Sequence, residues 1–129
     1  MIKAQNKADK GRIGEELACK YLRKKGYKIL ENNKRESHKE IDIIAANKEY
    51  IVFVEVKTRS VGNDLYNQYG SPASAVTKKK QSNLIYAANA YLSTNFTNKQ
   101  PRMDVIEVYL DKLSGELLKI NHIENAYFA

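Results

Sequence analysis

Two segments dense in β-branched and aromatic residues, EIDIIAA at 40–46 and YIVFVEVKT at 50–58, are separated by so few residues that only a hairpin can join them. In the second segment the side chains alternate faces, so Ile51, Phe53, Glu55 and Lys57 share one side while Val52, Val54 and Val56 share the other. The first of these sides is apolar for half its length and then abruptly charged. A two-residue turn at Lys48-Glu49 pairs residues whose numbers sum to 97, which sets Asp42 opposite Glu55. Opposed side chains in an antiparallel pair lie within about 5 Å, close enough to share one cation. Two carboxylates at that separation repel, and at least one resists ionisation unless a metal or the Lys57 ammonium compensates. Oxygen donors without a thiolate or histidine cluster favour magnesium or manganese over zinc. Without Asp42, Glu55 and Lys57 would read as a weak ion pair on a solvated strand end.

The rest of the chain supplies partners for this hairpin. At 129 residues and 43% hydrophobic content it is long enough for one packed core and short for two, so residues 1–129 are read as a single domain. Ile13, Leu17, Ala18, Tyr21 and Leu22 form an apolar stripe that predicts a helix over 9–25, with Asp9 as its N-cap and Gly26 as its stop. A first strand is expected at 27–33. After the hairpin, the polar stretch 59–72 reads as a long loop, and Leu84, Ala87, Ala88, Tyr91 and Leu92 mark the buried face of a second helix over 74–94. Strands at 102–110 and 116–124 complete the order α-β-β-β-α-β-β, an α/β arrangement in which two helices cover a sheet. Both prolines, Pro72 and Pro101, fall at element boundaries.

Charge and cysteine usage narrow the setting. Residues 1–39 hold 12 Lys/Arg against 5 Asp/Glu and residues 40–129 hold 10 against 10, so the whole net charge of +7 lies in the first third. A localised basic region suits a polyphosphate partner, and equally a merely solvated surface. The single Cys19 excludes an internal disulfide, and with His38 and His122 it cannot build a four-ligand zinc site. No apolar run approaches membrane-spanning length and no secretory segment opens the chain. A soluble, cytoplasmic protein is expected.

The first helix offers one further acid. At 100° per residue from Ile13, Glu15 falls beside Leu22 at the edge of the apolar stripe, whereas Glu16 falls between Lys20 and Arg23 on the solvent face. Only Glu15 can look toward the sheet. Arg59 is as readily a phosphate ligand as a surface charge. The run Lys78-Lys79-Lys80 would suit a nucleic-acid backbone, and Gln81, spaced with Leu84 and Ala88, is aimed toward the sheet. Tyrosines between 66 and 91 could stack on bases, although Tyr91 is more simply core. His38 and His122 have no acid or cysteine at a recognisable spacing and receive no role.

Asp42 followed by Glu55-Val56-Lys57 resembles the D…ExK signature of PD-(D/E)XK nucleases. More closely, GRIGEELACKYLRKKGYKIL, EIDII, VFVEVKTR and RMDVIEV resemble, in that order, the small bacterial YraN-like family of predicted endonucleases akin to archaeal Holliday-junction resolvases. The match runs from about Gly11 to Val108; Lys39 stands where the family pattern usually has Gly. The resemblance implies a restriction-endonuclease-like αβββαβ core with a mixed central sheet flanked by helices. It also implies magnesium- or manganese-dependent hydrolysis of phosphodiester bonds in DNA, by analogy branched or structured DNA, with DNA against RNA left open. Glu15, Asp42 and Glu55 would bind metal, the Val56 carbonyl would be a further ligand, and Lys57 would position or activate water. Arg59, Lys78, Lys80 and Gln81 are the nucleic-acid candidates. A homodimer is the assembly that would let such an enzyme cut two strands. The competing readings are a nucleic-acid-binding module that keeps the fold without cutting and, more remotely, a protein-interaction domain.

Overall fold

A computed structural model describes residues 7–62 and 77–127. The elements are α1 (Lys7–Lys24), β1 (Lys28–Glu36), β2 (Lys39–Ala46), β3 (Tyr50–Val61), α2 (Lys78–Thr94), β4 (Gln100–Asp111) and β5 (Leu117–Tyr127). The five strands form one sheet in the order β1-β2-β3-β4-β5. Three neighbouring pairs are antiparallel and one, β3 with β4, is parallel. Parallel neighbours need a crossover rather than a turn, and α2 lies within that crossover. This is the expected α/β architecture with a mixed sheet between helices, consistent with the αβββαβ core.

Each helix covers one face of the sheet. Ala18, Cys19 and Leu22 of α1 pack with Ile43, Val52, Val54, Ile106 and Val108. Leu84, Ala87, Ala88 and Tyr91 of α2 pack with Ile44, Ile51, Phe53 and Met103. The alternation read from the sequence therefore sorts β3 correctly: valines toward α1, Ile51 and Phe53 toward α2. β4, covered on both faces, is buried without interruption from Arg102 to Leu110. Among the described residues no helix is long and apolar enough to cross a membrane.

The stop of α1 is a Schellman turn. The Gly26 and Tyr27 amides donate to the carbonyls of Arg23 and Leu22, at 3.0 Å each, and Gly26 takes φ +97°. Tyr27 and Leu22 join the same apolar cluster, so the turn also packs the chain back onto the sheet. Other boundaries move. α1 begins at Lys7, which places Asp9 in its first turn rather than at the N-cap. α2 begins at Lys78 instead of Ser74, because Thr77 is extended and its Oγ1 accepts the Lys80 amide at 3.2 Å. β1 continues to Glu36 and turns through Ser37 and His38, both left-handed at φ 49° and 71°. Lys39 is thus an ordinary strand residue, and the missing family glycine has no conformational cost. Arg59–Val61, assigned from sequence to the loop, extend β3 alongside β4 as far as Val61 opposite Asp111. Residues 63–76, which hold the rest of that loop with Pro72 and the tyrosines at 66 and 69 as well as the expected start of the second helix, lie outside the described residues.

His122 has the partner that its spacing concealed. On the α1 side, Asp104 is fully buried and accepts Arg102 Nε at 2.9 Å and a second Arg102 nitrogen at 2.8 Å. His122 Nε2 lies 2.7 Å from the same carboxylate, the Asn125 amide donates to it at 3.0 Å, and His122 Nδ1 is 3.0 Å from the Tyr21 hydroxyl. Arg102 also donates to the Tyr27 hydroxyl at 2.6 Å. Burial alone would raise the Asp104 pKa, but the His122, Arg102 and Asn125 hydrogen bonds and the Arg102 charge outweigh it and hold the carboxyl below its ordinary range. Removing one partner strands a buried charge. Asp104→Ala should therefore cost about 3–5 kcal/mol in urea unfolding, while replacing Arg102 and Asp104 together by apolar residues of similar volume should cost far less. Equal losses for the single and double variants would refute this account.

Candidate active site

The β2–β3 ladder keeps the expected register, with Ile43 opposite Val54 and Ala46 opposite Ile51, so paired numbers sum to 97. It ends one residue short of Asp42. There the Asp42 side chain replaces the backbone: its Oδ2 accepts the Val56 amide at 2.9 Å. This fixes the carboxyl beside Glu55, with which it shares a hydrogen bond. Glu55 and Lys57 follow Ile51 and Phe53 on the α2 face, at the point where the apolar cluster under α2 gives way to the strand end.

Crowding sets the electrostatics. Burial, then the hydrogen bond and charge of Glu55, push Asp42 up to about 9, against the pull of the Val56 amide. Burial and the neighbouring Lys80 lower Lys57, opposed by the charges of Glu55 and Asp42. Lys80, in the first turn of α2, brings its Nζ to 3.3 Å from Glu55 Oε1. Burial works against the Lys80 ammonium, but Glu55 and Lys57 together raise its pKa. Asp42, Glu55 and Lys80 line a cleft of about 250 Å3 whose walls also include His38, Glu40 and Asn83.

Glu15 approaches from the other layer. Gly14 is buried against β3, where a Cβ would overlap the Thr58 side chain, so a glycine is what lets α1 sit this close. The helix wheel separated Glu15 from Glu16 as found: Glu16 is exposed, and Glu15 is half-buried and hydrogen-bonded to Asn33. Burial raises the Glu15 pKa, with Glu40 and Glu55 adding repulsion. Yet among the described residues no three His, Cys, Asp or Glu side chains converge enough to hold a metal ion. Asp42 and Glu55 are brought together, and Glu15 stands near them without joining them.

The remaining candidates separate. Val56 lies in the ladder opposite Ile106, with its amide taken by Asp42. Arg59 is turned onto Glu107, 3.4 Å from its Oε2. Lys78 is exposed at the start of α2 and Gln81 is half-exposed one residue past Lys80. Glu107 was missed. It is 1% exposed, stands across from Lys57 in the β3–β4 register and accepts the Tyr109 hydroxyl at 2.7 Å. An acid amid the apolar RMDVIEVYL run was the available signal, since a buried strand carries a carboxylate only where it is hydrogen-bonded or paired.

Residues 14–108 match the model of the uncharacterised protein family UPF0102. A UPF0102 protein of Caldanaerobacter subterraneus subsp. tengcongensis is 48% identical over 127 residues, covering 98% of this chain and 100% of the relative. Relatives from Alkaliphilus oremlandii and Clostridioides difficile are 47% identical over 120 residues and 45% over 123, covering 91% and 95% of this chain and 96% and 99% of their own lengths. The chain belongs to that family, as the YraN-like resemblance implied. None of these names states an activity.

The site carries a cost in stability. The Asp42 pKa in the folded chain lies above its ordinary value of 3.8, so the folded chain retains a proton that the unfolded chain releases. Stability from this group is full below 3.8 and is lost as pH rises toward about 9. Asp42→Asn should stabilise the cation-free protein at neutral pH by roughly 1–3 kcal/mol and flatten the decline between mildly acidic and mildly alkaline conditions. Urea unfolding across pH with a chelator present measures both; a variant less stable than wild type at neutral pH would contradict the assignment.

Proposed function

We propose, with membership of the UPF0102 family as the premise, that this protein is a metal-dependent endonuclease that hydrolyses phosphodiester bonds in DNA. The observation that carries the reading is the pairing of Asp42 with Glu55 at the end of the β2–β3 ladder, with Lys57 on the same face. The donor set fits a hard divalent cation: two carboxyl groups held side by side, one of them, Asp42, resisting ionisation because it is buried beside the other. Asp42, Glu55 and the Val56 carbonyl would hold magnesium or manganese, with Glu15 completing the set from α1. When bound, the ion would supply Lewis-acid polarisation of a phosphoryl oxygen.

The chain's own residues do the rest. The Val56 amide holds Asp42 at the cleft, and Lys80 holds Glu55 there. Lys57, its pKa lowered chiefly by burial, can exchange a proton more readily than a solvated lysine, and beside Glu55 it can orient a water or stabilise charge developing on the phosphate. Arg59, held by Glu107, and Lys78, Lys80 and Gln81 on the first turn of α2 border the same strand end and offer contacts to the nucleic-acid backbone. The basic first third of the chain supports a polyanionic substrate. The resolvase likeness favours branched or structured DNA and two copies acting on two strands, and the single Cys19 favours a reducing, cytoplasmic setting.

A specific observation favours a second reading, a nucleic-acid-binding module that does not cut: the three acids do not converge among the described residues. Incubation with branched, duplex and single-stranded DNA separates the two. Cleavage should require magnesium or manganese, stop with a chelator, and fall about 100-fold or more in Lys57→Ala and Glu55→Gln. Equal trace cleavage by wild type and Lys57→Ala would sink the catalytic assignment. Salt-dependent DNA binding without any divalent-ion binding would favour the second reading.

A further inference from the structure

The cleft is lined by two carboxyl groups, Asp42 and Glu55, and by the Lys80 amine, and a second amine, Lys57, lies close enough to feel all three. The amines are placed differently. Lys57 is fixed by strand parity, its side chain leaving β3 two residues beyond Glu55. Lys80 reaches in from the first turn of α2 on a flexible stem; its side chain is 50% exposed while that of Glu55 is 14% exposed. Lys80 is ion-paired to Glu55, and Lys57 also feels the charges of Glu55 and Asp42, so cations already stand beside the acid pair. A divalent ion entering beside both would meet repulsion from the nearer ammonium. Lys80, the more exposed of the two, is the one with open solvent to leave into.

Its own helix gives Lys80 somewhere to go. The first turn of α2 contains Lys78, Lys79 and Lys80 and no acid, so three cations crowd the positive end of a helix dipole. That arrangement is unfavourable in isolation and is relieved by an anion. At present Lys80 finds that anion in Glu55; a phosphate at the helix N-terminus would be the other source.

We propose that Lys80 is an exchangeable counter-cation: it occupies the acid pair in the metal-free protein, yields to a divalent ion, and then binds backbone phosphate. Metal and nucleic acid thereby bind cooperatively. The proposal rests on the reading of Asp42 and Glu55 as metal ligands. By linkage the coupling is reciprocal, so each ligand strengthens the other by one factor.

The test uses the full chain, with manganese titrated calorimetrically into wild type, Lys80→Gln and Lys80→Arg. Lys80→Gln should bind manganese roughly tenfold more tightly, and Lys80→Arg should behave as wild type. A second measurement follows binding of a fluorescent duplex against salt, with and without calcium. Calcium should steepen the slope of log K against log salt by about 0.9 in wild type, one added phosphate contact, and leave the Lys80→Gln slope unchanged. Manganese binding of equal or lower affinity in Lys80→Gln than in wild type overturns the exchange and leaves the metal site standing. No binding to any of the three proteins overturns the metal site and the exchange together.

Discussion

The parallel pairing of β3 with β4 is the constraint from which the rest follows. It runs without a break from Tyr50 opposite Gln100 to Val61 opposite Asp111. Two parallel strands cannot be joined by a tight turn, so the chain must travel back along the sheet, and α2 lies in that return. A helix placed this way starts near the carboxyl end of the strand before it. That is why Lys80 meets Glu55, and why the charged end of β3 is a cleft rather than a solvated edge. Crevices outside the carboxyl ends of strands are where open α/β sheets place ligands.

Within that cleft, packing and charge oppose each other. The apolar cluster under α2 excludes water from one side of Asp42, while Glu55 adds a second negative group. A sequence selected for stability alone would place an amide or an aliphatic residue at one of these positions. Arg59, Glu107 and Tyr109 extend the polar row across to β4, and there the charge is balanced: a buried carboxylate receives a hydroxyl and a guanidinium. The imbalance is confined to the Asp42–Glu55 end. Strain so localised belongs to a site more than to a scaffold.

What the sequence made legible was whatever depends on neighbours in the chain. The sum of 97, the alternation that puts Glu55 and Lys57 with Phe53, and the wheel that separated Glu15 from Glu16 are all consequences of short-range geometry. What escaped was set by distant partners. The pairing of His122 with Asp104 spans two strands, the Lys80 contact requires the crossover, and Glu107 is recognisable only once β4 lies beside β3. Boundaries slipped for a similar reason: β3 outlasts its hydrophobic pattern because β4 pairs with it to the end, and Thr77 starts α2 later than the apolar spacing allows. Gly14 stood within the GRIGEELACKYLRKKGYKIL segment that carries the resemblance, yet its meaning, a helix seated on Thr58, depends on packing between layers.

The order of strands across the sheet repeats their order along the chain. Three of the four seams can therefore zip by local turns, each bringing together segments that are already close, at little loop-closure entropy. The single seam that must capture a remote segment is β3 with β4, and the crossover that closes it carries the α2 wall of the cleft. Folding of this chain thus concentrates its one slow search on docking the crossover, so that a molecule with an incomplete barrier crossing has all three hairpins but no α2 over the cleft.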